Sequence, residues 1–193
     1  MDPGDRPIGA FLDDIASARV TPAGGTAGAV VGAIGTACCE MVCIHLEAAE
    51  ADADGTLTEL RGEFETRRTA LLALAAADAE VVADLFGART DAVDGTTVKR
   101  SVGVPLSVAE ACLHTLEGAA TVAGVSDRPV LADAATGAYL ASGALQAALF
   151  TVRVNVAEVD DEAFVAETRR RATTVETAAD EAVEATIRHV ESD

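Results

Sequence analysis

Residues 21–46 read T-P-A-G-G-T-A-G-A-V-V-G-A-I-G-T-A-C-C-E-M-V-C-I-H-L, and the fold turns on what that run becomes. Pro22 biases the backbone before it toward an extended or turn form. Gly24 and Gly25 then open a stretch of about twenty-two residues whose only charge is Glu40. A helix apolar on nearly every side is expected to be buried on nearly every side. Gly24, Gly28 and Gly32 are four apart and Gly35 follows, so one edge is almost bare of side chains. Neighbouring helices can approach that edge closely. The run is therefore expected to be the Gly/Ala-rich central helix of an all-α bundle. Its glycine-rich start carries amide groups able to hold a polar ligand.

A membrane span is the first alternative, because about twenty apolar residues cross a bilayer and G-x-x-x-G packs membrane helices. The run is mostly Ala and Gly, Glu40 lies inside it, and neither flank carries a Lys/Arg cluster or an aromatic belt. No membrane partner is expected. The amino terminus M-D-P-G-D lacks the basic region of a signal peptide.

The 193 residues suffice for one sizeable core, and a single domain over 1–193 is expected. Half of them are hydrophobic, which argues against disorder. Aromatic residues make up only 3 % and Trp is absent, so Ala, Val and Leu must build the core on closely spaced helices. The formal charge is −18 and Lys99 is the only lysine. Such self-repulsion disfavours a compact state unless salt screens it, which fits a halophilic cytoplasm. Nucleic-acid binding needs a basic footprint and is not expected. Cys38, Cys39, Cys43 and Cys112 show no zinc spacing and read as buried hydrophobes in a reducing cytoplasm, with no metal site.

Helical spacing of Ile8, Phe11, Leu12 and Ile15 predicts a short first helix up to about Ser17. Asp52, Asp54 and Gly55 mark the turn after the glycine-rich helix. A long helix follows, with Leu57, Leu60, Phe64, Arg67, Leu71, Leu74, Asp78, Val81 and Leu85 spaced alternately three and four apart. A turn over 90–95, a helix over about 98–122 offset by Pro105, and a break over 124–129 come next. Two further helices, over about 130–156 and 161–190, complete five to six helices. No strand is expected beyond β-branched patches such as V-R-V-N-V.

Two members of the seam are charged. Arg67 can snorkel outward, but the Asp78 side chain is too short to do so. A carboxylate on a core-facing stripe must find a donor, a counter-charge or a proton. A structural carboxylate bonded to a neighbour's helix terminus and a catalytic group both satisfy that requirement. Asp133 starts the fifth helix, where capping alone explains it. Arg153 ends that uncharged run and needs an anion: Asp78, a second subunit or a ligand. His114 falls on the wet face of its helix with Glu110 and Glu117, which provides no pocket for a catalytic base.

Several blocks resemble one family in the same order along the chain. T-P-A-G-G-T-A-G-A-V-V-G-A-I-G is similar to the glycine-rich signature of the formiminotransferase-cyclodeaminase carboxy-terminal family, which includes methenyltetrahydrofolate cyclohydrolases. A-A-D-A-E around Asp78, V-P-L at 104–106, D-A-A-T-G-A-Y-L-A from Asp133 and V-R-V-N at 152–155 are similar to its later segments. Departures are Ala23, Thr26 and Ala27 in the signature, Ile44 for an Asn, Ser107 for an acid and Thr151 for an Asn. An acid required at 107, or an amide required at 44, would put catalysis in doubt.

The resemblance implies an all-helical homodimer that hydrolyses 5,10-methenyltetrahydrofolate to 10-formyltetrahydrofolate. No cofactor beyond the tetrahydrofolate substrate is implied. Cyclodeamination of 5-formiminotetrahydrofolate with loss of ammonia is the alternative, and a non-catalytic helical scaffold is the rival of another class. On the enzyme reading Asp78, then Asp133, is the candidate catalytic carboxylate. Gly24, Gly25 and Thr26 would hold a polar edge of the substrate. Arg153 would bind the folate glutamate or a catalytic Asp, and Asn155 the pterin.

Overall fold

The structure is a computed structural model and describes residues 4, 6–49, 55–87, 94–126 and 128–191. These form six α-helices: α1 (Ile8–Ile15), α2 (Gly24–Ala48), α3 (Thr56–Gly87), α4 (Gly95–Val125), α5 (Arg128–Asn155) and α6 (Glu162–Glu191). A short 3-10 turn, Val156–Glu158, joins the last two. No strand occurs among the described residues, and V-R-V-N-V runs from the end of α5 into that turn. The all-helical class expected from the glycine-rich run and the apolar seam is the class observed. Asp52, Asp54 and residues 90–93 lie outside the described residues. Gly55, at φ 82°, takes the left-handed conformation that suits a glycine before α3.

The helices that flank the core do so because small residues let them. At the crossing of α2 and α5 a Cβ on Gly35 would lie 2.7 Å from the Gly137 carbonyl oxygen and 2.8 Å from the Ala141 nitrogen. Two backbones therefore touch where any larger side chain would separate the helices. Because Gly32 lies near Ala144 and Gly28 near Ala147, α5 runs antiparallel to α2. α4 packs against α2, α3, α5 and α6 and carries Pro105 inside it without a break, so the offset expected at Pro105 does not divide the helix.

The α3 seam behaves as its spacing requires. Leu57, Phe64, Leu71 and Val81 are buried, and so is Asp78, at 7 % exposure. Arg67 leaves the seam to pair with Glu63 at 2.5 Å while its guanidinium stays 5.8 Å from the Phe64 ring. Glu40, the lone charge within the first twenty-two residues of α2, reaches sideways to Arg68 of α3 at 2.9 Å. Burial pushes the Cys39 and Cys112 thiols up to about 12, so both stay protonated near neutral pH.

The expectation that α2 is covered on nearly every side fails on one side. α3, α4 and α5 cover three sides, and the fourth leaves Ile34, Met41 and Ile44 exposed. A run this apolar calls for neighbours all round, and the described residues supply them on three sides.

Candidate active site

Asp78 reaches across from α3 to the amino-terminal turn of α2. Ala23, the N-cap of α2, has no side chain that can cap, so the first turn lacks the usual local acceptor. Asp78 supplies it from another helix. The Thr26 hydroxyl donates to Asp78 Oδ2 at 2.7 Å, and the Thr26 backbone N–H also donates to the carboxylate. The glycine before Thr26 makes room for this. A Cβ on Gly25 would lie 2.8 Å from Asp78 Cγ and 2.9 Å from Oδ2, inside contact distance.

Burial raises the Asp78 carboxyl above its ordinary value, because the charged form loses its water; the two bonds from Thr26 oppose that rise without cancelling it. Among the described residues no arginine, lysine or histidine makes an ion pair with it. A carboxylate held this way is primed to accept a proton.

Asp78 faces a narrow cleft lined by Gly24, Gly25, Gly28, Pro105, Val108, Ala147 and Ala148. Its interior volume of about 10 Å³ is room for about one water molecule. The amides of Gly24 and Gly25, the first two of α2, have no carbonyl within the helix to receive them. The cleft thus combines one proton acceptor, two backbone donors and apolar walls. V-P-L enters the site through Pro105, one of those walls.

The remaining candidates lie elsewhere. Arg153 pairs with Glu176 of α6 at 2.6 Å rather than with Asp78. Asn155 donates its side-chain N–H to the Ser101 carbonyl of α4 at 2.8 Å, which commits it to joining α4 and α5. Asp133 is exposed at the opposite end of α5; burial raises the Cys38 thiol, and the nearby Asp133 charge adds to that rise. Cys38 lies twelve residues beyond Thr26, about 18 Å along α2. Asp78, Gly24, Gly25 and Thr26 are brought together, whereas Asp133, Arg153 and Asn155 are not. His114 is exposed and sits 3.0 Å from Glu117, on the wet face as expected. The departures at Ile44 and Ser107 lie outside the cleft lining.

Known proteins resemble the chain in sequence and in fold. The sequence pattern described as formiminotransferase-cyclodeaminase matches residues 7–174. The chain is similar to a methenyltetrahydrofolate cyclohydrolase of Methylorubrum extorquens, 31 % identical over 180 residues that cover 85 % of this chain and 86 % of that one. Its fold is that of formiminotetrahydrofolate cyclodeaminase from Thermotoga maritima, with a TM-score of 0.93, 22 % identity and 98 % of each chain covered. By sequence pattern and by overall similarity alike, the chain belongs to the formiminotransferase-cyclodeaminase family.

Proposed function

We propose that the chain is a methenyltetrahydrofolate cyclohydrolase in which Asp78 is the general base. The observation that carries this reading is one buried carboxylate, with no cationic partner among the described residues, facing space for a single water. The methenyl carbon is part of a cationic amidinium, which a desolvated carboxylate attracts. Water attacks that carbon and passes one proton to Asp78, giving a neutral carbinol between N5 and N10. The C–N5 bond then breaks, Asp78 returns its proton to N5, and the carbinol hydroxyl proton leaves as the formyl C=O forms. One water is consumed and one proton is released, and the sequence of steps calls on no metal or redox cofactor.

The Gly24 and Gly25 amides stabilise oxygen as charge gathers on it, and Thr26 aims the Asp78 carboxylate. In this assignment Asp78 takes precedence over Asp133, which has no cleft to serve. The relative from Methylorubrum extorquens supports hydrolysis over cyclodeamination. The acidic surface and the four cysteines, read as thiols, support a saline, reducing cytoplasm as the working environment. We read the working form as a homodimer. Loss of methenyl absorbance with purified protein in molar salt tests the activity. Ammonia release from the formimino compound, without that loss, would assign cyclodeamination instead.

A further inference from the structure

The register between α2 and α5 brings one further side chain to the mouth of the Asp78 cleft. A Cβ on Gly35 would lie 3.1 Å from Leu140 Cβ, one on Gly32 3.4 Å from Ala144 Cβ, and one on Gly28 3.9 Å from Ala147 Cβ. Each step of three or four residues back along α2 is matched by a step of three or four forward along α5. The next step pairs Gly24 with Thr151. Leu140, Ala144 and Ala147 are apolar, so Thr151 is the first polar side chain on this line. It is half-buried and stands one turn, about 6 Å, beyond the cleft wall at Ala147.

The Thr151 hydroxyl donates its one hydrogen to the Ala147 carbonyl at 3.1 Å. Only oxygen lone pairs remain, so toward a ligand Thr151 accepts and does not donate. The Gly24 and Gly25 amides across from it donate and cannot accept. Two nearby polar side chains are already committed. Thr26 donates to Asp78 at 2.7 Å, and Asn155, one turn beyond Thr151, donates to the Ser101 carbonyl at 2.8 Å. Thr151 thus offers the mouth of the cleft a neutral acceptor beside two backbone donors.

We propose that Thr151 is a substrate-binding residue whose hydroxyl oxygen accepts a hydrogen bond from an N–H of the pterin and so holds the methenyl carbon over the Asp78 cleft. The inference rests on the folate substrate of the preceding reading and not on the choice between hydrolysis and deamination. An oxygen with only lone pairs to offer selects a ligand group that carries hydrogen. The pterin has such N–H groups, and it is fused to the ring that holds the methenyl carbon. The substrate's other N–H, on the glutamate amide, lies beyond the benzene ring and too far from a carbon seated at the cleft. Thr151 therefore takes the role that the sequence alone assigns to Asn155.

The bond has a kinetic signature of its own. A pterin N–H takes no part in the chemistry, so the hydrogen bond is made equally in the bound substrate and in the transition state. Its loss weakens binding and leaves the chemical step alone. Its loss also leaves the fold alone, because the Ala147 carbonyl keeps the backbone N–H of residue 151 as its helical donor.

The test compares wild type, Thr151→Val and Thr151→Ser in molar salt. Valine keeps the branched shape and loses the oxygen, whereas serine keeps the oxygen. The quantities measured are kcat and KM for the methenyl compound, the Kd for tetrahydrofolate by calorimetry, and Tm. Thr151→Val is expected to raise KM and Kd about threefold to tenfold, with kcat within about twofold and Tm unchanged. Thr151→Ser is expected to stay within about twofold of wild type throughout. An unchanged KM and Kd in the valine variant, or an equal loss in the serine variant, would overturn the proposal. So would a fall in kcat at unchanged KM, which would put the hydroxyl on the reacting atoms instead. A wild type that binds tetrahydrofolate and hydrolyses nothing, with binding still weakened by valine, would strike at the hydrolase reading and leave Thr151 in place. A wild type that does not bind tetrahydrofolate would overturn both.

Discussion

Pro105 and Asn155 act on the same carbonyl. Pro105 has no N–H, so the Ser101 carbonyl four residues earlier in α4 loses its helical donor; Asn155 at the end of α5 replaces it at 2.8 Å. The two short motifs V-P-L and V-R-V-N are thereby one structural device, which places the Pro105 wall of the cleft. Asn155→Ala strands the Ser101 carbonyl and is expected to cost about 1–3 kcal/mol. Adding Pro105→Ala restores a donor within α4. The double variant should therefore lose less than the sum of the two single losses, and thermal or denaturant melts of the four proteins check this.

Asp78→Asn should separate stability from activity. The folded carboxyl lies above its unfolded value, so its favourable contribution is complete below the unfolded value and is lost as pH rises through the folded one. Asn mimics the neutral form at every pH. The variant is expected to melt at or above wild type near pH 7, with the gap closing toward about pH 4. A melt series across that range is the check.

The same raised value predicts the pH dependence of the rate. Asp78 acts as a base only when ionised, so kcat/KM should fall on the acid side with a midpoint above the ordinary carboxyl value of 3.8. Asp78→Asn should abolish that limb of the profile.

Gly25→Ala and Gly28→Ala make a matched pair. A Cβ at 25 strikes the Asp78 carboxyl, whereas one at 28 meets only Ala147 Cβ, at an ordinary 3.9 Å. The first is expected to cost about 1–3 kcal/mol and to displace Asp78 from Thr26. The second should gain up to about 1 kcal/mol, as alanine does over glycine within a helix. Melting curves decide both.

Arg153→Ala tests whether that guanidinium serves the substrate. It and Glu176 are both substantially solvent-exposed, at 48 % and 34 % for the side chains, and such pairs contribute less than about 1 kcal/mol. The expected outcome is a small drop in Tm with KM for the methenyl compound unchanged.

The class of the fold was legible because a seam of Leu and Phe at three-four spacing can be satisfied only by a helix packed on others. Asp78 was legible for the same reason: it is a short charged side chain in a row of buried ones. Its partner was named as a substrate ligand instead, since nothing local reveals that Thr26 lies opposite. The contacts of Arg153 and Asn155 were not legible, because Glu176 and Ser101 sit on other helices whose rotation depends on packing. Pro105 carried an unused clue, for a proline inside a helix leaves a known carbonyl in need of a donor. The bare side of α2 was legible only as an alternative, because two Gly/Ala-rich helices read alike whether a face is covered by its own chain or by a second one.

The most direct test of the central claim is the rate at which purified Asp78→Asn removes methenyl absorbance in molar salt, set beside wild type and the uncatalysed background. With Asp78 as the base, wild type exceeds background and the variant, folded and melting no lower, loses about 10²–10⁴-fold. A variant that turns over at the wild-type rate would contradict the account.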